Sequence, residues 1–220
     1  MNDLLNILGL AFLGSVVALV GGFVFLAKKE WSQVLSLYSI PFAAGVLLTV
    51  ALGGLLPEAV HSLGENAFNV VLFSFLGAYL FENFVFGLHH HEEGEEGHKH
   101  VETSIPLVIL GDTIHNFIDG VAIAATYLIN PGLGVVTTIS TFLHEVPHEI
   151  GDFGILLKAG WKKSSIILVN VVSASTTLVG AAFVYFFASG EVVVGTLLAI
   201  AAGLFLYLGA SDFLPHIHEN

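Results

Sequence analysis

The chain has 220 residues, of which 55% are hydrophobic and 11% charged, and its mean hydropathy of +0.86 is far above that of a soluble globular domain, marking a membrane protein. Eighteen acids against six lysines, with no arginine, give a net charge of −12, which excludes a basic surface for nucleic acid. The absence of cysteine excludes disulfides, thiolate metal sites and cysteine nucleophiles.

A spanning helix takes about 20 apolar residues, and about 30 with its connection, so the chain holds about seven spans in an all-α polytopic bundle, with no room for a separate soluble domain. Apolar stretches fall at 4–27, 37–60, 67–88, 103–128, 132–157, 164–188 and 192–215. The first is preceded by Met1-Asn2-Asp3 rather than a basic segment, so it is expected to remain as a span and not to be cleaved as a signal peptide. Gly21-Gly22 and Gly53-Gly54 predict close helix packing within the membrane. No β-barrel alternation is present.

The six lysines, Lys28, Lys29, Lys99, Lys158, Lys162 and Lys163, all follow odd-numbered spans and share one side. By the positive-inside rule that side is the cytoplasm, with the N-terminus outside and the C-terminus inside; a prokaryotic plasma membrane is the expected location. The chain then divides into spans one to three over 1–88, a histidine- and glutamate-rich cytoplasmic loop over 89–102, and spans four to seven over 103–220. Within the loop, His89, His90, His91, His98 and His100 stand among glutamates, the composition of a solvated acidic loop that also collects divalent metal weakly.

Spans four and five carry groups that a bilayer disfavours by about 2.5 to 3.5 kcal/mol each. Span four holds Asp112, His115, Asn116 and Asp119; span five holds His144, Glu145, His148, Glu149 and Asp152. At about 100° per residue the first set falls within roughly 100° and the second within roughly 140° of helical arc, so each helix has one polar stripe. The short Asn130-Pro131-Gly132 turn makes the two antiparallel neighbours and brings His115 and His144 to similar depth. The i, i+4 pairs His115/Asp119, His144/His148, Glu145/Glu149 and His148/Asp152 stack ligands on one face. Imidazole with carboxylate suits zinc, and also ferrous iron or manganese, better than calcium or magnesium. Such histidines bind metal only when deprotonated, so uptake is expected to fall as pH drops through about 6. Pro147 removes one backbone bond near His144, predicting a local distortion there.

Weaker signals lie elsewhere. Glu58 and His61 end span two on the outer side, and Asp212, His216 and His218 close span seven on the inner side; all read as solvated ends or accessory metal collectors. Glu82 and Asn83 lie deeper in span three and need a partner, with Asp112 and Asp152 as candidates through an ion or water. Asn170, Ser173 and Thr177 share a face of span six and predict helix-to-helix hydrogen bonds.

His144-Glu145-Val146-Pro147-His148 also spells HExxH, the zinc-protease motif with glutamate as general base. An intramembrane metalloprotease is therefore the rival reading. A proline inside the motif, together with a column of candidate ligands where catalysis needs three and an open water, favours a carrier over an enzyme.

The segments His115-Asn116-Phe117-Ile118-Asp119-Gly120 and His144-Glu145-Val146-Pro147-His148-Glu149-Ile150-Gly151-Asp152-Phe153 resemble the fourth- and fifth-span signatures of the ZIP family of divalent metal transporters. Leu55-Leu56-Pro57-Glu58-Ala59 resembles the family's second span, and Ala201-Ala202-Gly203-Leu204-Phe205-Leu206-Tyr207 with Asp212-Phe213-Leu214-Pro215 its seventh. The resemblance implies uptake of zinc, or of Fe2+, Mn2+ or Cd2+, toward the cytoplasm through a binuclear-type site. One ion would be held by His115, Asp119, His144 and His148, and its neighbour by Asn116, Asp119, Glu145 and His148. It further implies a homodimer in the lipid bilayer, with a transport bundle sliding on a static one. Family members usually have eight spans where seven are read here, which implies a reduced member or a truncated one. An acid and a histidine common in the family's second span correspond to Val50 and Gly54.

Overall fold

In a bilayer the backbone finds no solvent partner, so every N–H and C=O must be satisfied within its own helix. The computed structural model describes residues 2–87 and 99–215, and among these there is no strand. The first span consists of α1 (Asn2–Gly14), a 3₁₀ turn (Val16–Leu19) and α2 (Val20–Ala27); the second of α3 (Lys29–Val50), a π segment (Ala51–Leu55) and α4 (Leu56–Leu63). Then come α5 (Asn66–Gly87), α6 (Lys99–Ile129), α7 (Pro131–Lys158), α8 (Lys163–Phe187) and α9 (Glu191–Tyr207), the last continued by a second π segment (Leu208–Phe213). The chain is an all-α polytopic bundle. Five segments, Asn2–Ala27, Leu37–Leu63, Val108–Ile129, Lys163–Phe187 and Glu191–Ser211, are long and apolar enough to cross a membrane. The helices α5 and α7, of 22 and 28 residues, match them in length. His89, His90, His91, His98 and His216 lie outside the described residues.

The apolar segment of the second span begins at Leu37 as read from the sequence, while its helix starts earlier, at Lys29, because a helix continues into the polar interface where apolarity gives no signal. Two π segments end just before a proline, at Pro57 and at Pro215. A proline ring clashes with the carbonyl four residues back and supplies no N–H; the wider π turn moves that carbonyl aside and lets the span pass through. Pro147 behaves otherwise than expected. It sits inside α7, which stays α-helical from end to end, so the missing bond at Leu143 does not interrupt the helix.

Asn130 starts α7 as its N-cap, its Oδ1 accepting from the N–H groups of Gly132 and Leu133 at 2.8 and 3.3 Å with Pro131 in the first turn. The resulting tight turn makes α6 and α7 antiparallel neighbours. Helix α7 packs against α1, α2, α3 and α6, while α8 covers α6, and α5 and α4 pack on α9. Close approach of α6 and α8 depends on two reciprocal glycines: a Cβ on Gly120 would overlap the carbonyl oxygen of Thr177, and one on Gly180 that of Phe117. Gly21, Gly22 and Gly54 likewise face neighbouring helices, but Gly53 faces open space and serves no packing role. Outward faces carry Tyr38, Phe73 and Phe187 largely exposed, the apolar rim that lipid covers.

Candidate metal centre

The polar stripes of α6 and α7 meet at one depth. The two Nε2 atoms of His115 and His144 lie 3.1 Å apart. Asp119 Oδ2 stands 2.9 Å from His144 Nε2 and 3.8 Å from His115 Nε2, and Glu145 Oε1 stands 3.1 Å from His115 Nε2 and 3.7 Å from His144 Nε2. All four ligand atoms lie within 4.8 Å of one another. Asp119, His144 and Glu145 are wholly buried and His115 is partly so.

Hydrogen placement decides what this cluster can do. His144 Nδ1 lies 2.9 Å from the carbonyl oxygen of Ser140, which only accepts, so Nδ1 carries a hydrogen and, in the neutral ring that binds metal, Nε2 turns its lone pair to the cluster. That lone pair faces Asp119 Oδ2, itself an acceptor. Apart from the histidine rings, no donor among the described residues reaches either oxygen of Asp119 or Glu145. Acceptors facing acceptors in a dehydrated site are stabilised by a cation set between them, and the chain has no arginine and only six lysines, all at helix ends or in connections. Phe205 of α9, fully buried, closes one side with its ring edge-on to His144 at 5.7 Å.

The remaining predicted residues lie outside this cluster. Asp112, His148 and Asp152 form a second group whose ligand atoms lie within 4.8 Å. The His148 ring stacks on His115 with centroids 5.2 Å apart; Glu145, not His148, joins the first cluster. Asn116 turns away from both carboxylates of that cluster: its Oδ1 accepts from Ser15 Oγ at 2.5 Å and Thr177 Oγ1 at 3.0 Å, and its Nδ2 donates to Asp112 Oδ1 at 2.9 Å. Glu149 is buried with neither carboxylate oxygen hydrogen-bonded. Glu58 and His61 stay at the far end of the second span, His61 Nδ1 3.6 Å from Glu191 Oε1 in the open. Glu82 finds its partner in the hydroxyl of Tyr207 rather than in Asp112 or Asp152, and exposed Asn83 donates to the Tyr79 carbonyl at 2.8 Å. Ser173 and Thr177 do bond across to α6, at Thr113 and Asn116, whereas Asn170 bonds within its own helix to Ile166.

Sequence reasoning missed Ser15, the Ser140 carbonyl and the buried hydroxyls of Thr137, Ser140 and Thr141, which have no hydrogen-bond partner among the described residues. The last three had a signal: their spacing continues the stripe of His144 and His148 along α7. A cavity of about 940 Å³ opens from His115 and His148 toward the lysine-bearing ends of α6 and α7, walled by Phe81, Glu82, Tyr207 and Phe213 across from Asp112 and Asp152.

A zinc protease would need His144 and His148 on one ion with Glu145 free to take a proton; here Glu145 shares the His144 group and His148 belongs to the other. Comparison with known proteins agrees. Residues 90–220 match the family model described as ZIP Zinc transporter. Zinc transporter foi of Drosophila melanogaster is 39% identical over 114 residues, covering 52% of this chain and 16% of that protein. Zinc transporter ZIP4 of Mus musculus is 41% identical over 109 residues, covering 50% and 16%, and Zinc transporter ZIP6 of Homo sapiens 40% identical over 121 residues, covering 54% and 16%. The match thus spans about a sixth of these relatives' lengths. With the family model covering more than half of the chain and the fourth- and fifth-span signatures inside it, the chain belongs to the ZIP zinc transporter family.

Proposed function

We propose that the chain carries a divalent transition metal, zinc foremost, across the membrane, and that the ion is held by His115, Asp119, His144 and Glu145 between α6 and α7. The observation that supports this most is the facing of His144 Nε2 and Asp119 Oδ2 at 2.9 Å, which with the ring neutral are two lone-pair atoms that a metal ion can bridge. Two imidazoles and two carboxylates make a four-ligand set that neutralises the charge of a divalent ion at mid-membrane. The cavity beside the cluster leads toward the lysine-bearing side, which the positive-inside rule makes the cytoplasm. The test is zinc flux into proteoliposomes of the purified chain, with Fe2+, Mn2+ and Cd2+ as competitors. Saturable zinc uptake is expected; peptide cleavage without uptake would overturn the reading.

The orientation is open to direct measurement because the chain has no native cysteine. A single cysteine at Gly97 is expected to react with an impermeant thiol reagent only after the cytoplasmic side is opened. Labelling in intact cells would reverse the direction of transport assigned here. Deleting residues 89–100 is expected to weaken apparent zinc affinity in the flux assay while leaving maximal flux, since a loop collector does not organise a dehydrated site. Complete loss of flux at normal expression would place the loop in the transport path itself.

A further inference from the structure

We propose that Asp112, His148 and Asp152 form a second metal station, separate from the cluster of His115, Asp119, His144 and Glu145, which takes a divalent transition metal on its way into the cavity. The inference rests on the transport reading above. Each of the three side chains offers a ligand atom, and the three atoms lie within 4.8 Å of one another. Asp112 precedes His115 by about one turn of α6, and Asp152 follows His148 by one turn of α7, so both carboxylates are displaced from the first cluster in the same direction, toward the cavity. All three residues line that cavity, whereas Asp119, His144 and Glu145 are sealed from it.

The chemistry of the trio calls for a cation. Asp112 and Asp152 are each only 8% exposed, they approach one another without a lysine or arginine between them, and bringing two carboxylates together in a poorly solvated place is costly unless a positive charge bridges them. Glu149, 1% exposed with both oxygens unpartnered among the described residues, is a third buried carboxyl on the same helix. Asp112 is already oriented, because Asn116 Nδ2 donates to its Oδ1 at 2.9 Å. Behind the two carboxylates a pocket of about 10 Å³ bordered by Asn170 has room for about one water. Two carboxylates, one imidazole and one water complete a four-coordinate zinc shell with a replaceable ligand. The stacking of His148 on His115 at 5.2 Å puts the stations side by side. The first holds the ion dry; the second holds it partly hydrated and beside open volume, which suits release.

The experiment is a Co2+ titration of the full chain in detergent, read by the visible d–d absorption, with the histidines of the 89–100 loop and of the C-terminal tail changed to serine. The parent is expected to bind two ions in succession. Asp112→Asn with Asp152→Asn is expected to bind one, with the first affinity within about twofold and zinc flux lowered about tenfold; asparagine at 112 still accepts from Asn116, and retention of the tight ion reports the fold. Two ions on that double variant, or one on the parent, would overturn the second station while leaving the first cluster standing. Asp119→Asn with His144→Ala is expected to lose the tight ion and keep the weaker one. Retention of the tight ion there would overturn the transport site itself.

Discussion

Asp119→Ala and His144→Ala are each expected to abolish zinc flux in proteoliposomes while the protein stays folded and monodisperse. A four-ligand zinc site is worth about 10 to 16 kcal/mol, so each ligand contributes roughly 3 kcal/mol, or about two orders of magnitude in affinity. Asp119 contributes more than its share, because its carboxylate is the acceptor opposite His144 Nε2 at 2.9 Å and carries half of the site's negative charge. Glu145→Gln is expected to match them, since Glu145 Oε1 sits 3.1 Å from His115 Nε2 inside the same cluster. This differs from the ligand set implied by family resemblance, in which Glu145 serves only a neighbouring ion. Flux within about tenfold of the parent in Glu145→Gln, alongside null Asp119→Ala, would restore that earlier assignment. Folding should survive each change, because the capped turn at Asn130 still joins α6 to α7 and Asn116 still ties α6 to Ser15 and Thr177.

The second large effect is on assembly. Gly120→Val is expected to destabilise the bundle by about 3 kcal/mol or more, because the new side chain meets the backbone carbonyl of Thr177, which has no rotamer with which to move aside. Gly180→Val should do the same from the other helix, against Phe117. The loss would be read as a fall in thermal stability and in monodisperse yield, with metal binding lost as well, since Gly120 directly follows Asp119. Gly45→Ala and Gly77→Ala, where a Cβ meets nothing within 4 Å, serve as controls and are expected to be silent or slightly stabilising. A silent Gly120→Val would mean that α6 and α8 are not in backbone contact.

The spans and the convergence of two polar stripes were legible because hydropathy and helical period act within one helix. What sequence leaves open is rotation about the helix axis. Glu145 and His148 share one arc of α7, and which of them meets His115 and Asp119 depends on how α7 is turned by its packing on α1, α2 and α3. Ser15 is illegible for a related reason: a lone serine in an apolar run signals nothing until the 3₁₀ turn at Val16–Leu19 and its partner Asn116 are seen together. Glu82 illustrates the same limit, since its need for a partner is plain from burial in a span, but Tyr207 is 125 residues away.

A π turn holds one residue more than an α turn, which advances the helical phase by about 100°. In the second span the turn at Ala51–Leu55 lies between the buried Leu47 and the buried Ala59, and α4 beyond it packs on α9. Deleting one residue there would restore a regular helix and swing Ala59 off that interface, at the same time placing Pro57 against an uncorrected carbonyl. Substitutions at Gly53, which faces open space, would leave the phase untouched. This span therefore tolerates changes of side chain far better than changes of length, and a homologue with a one-residue gap at this point must present a different face of α4 to α9.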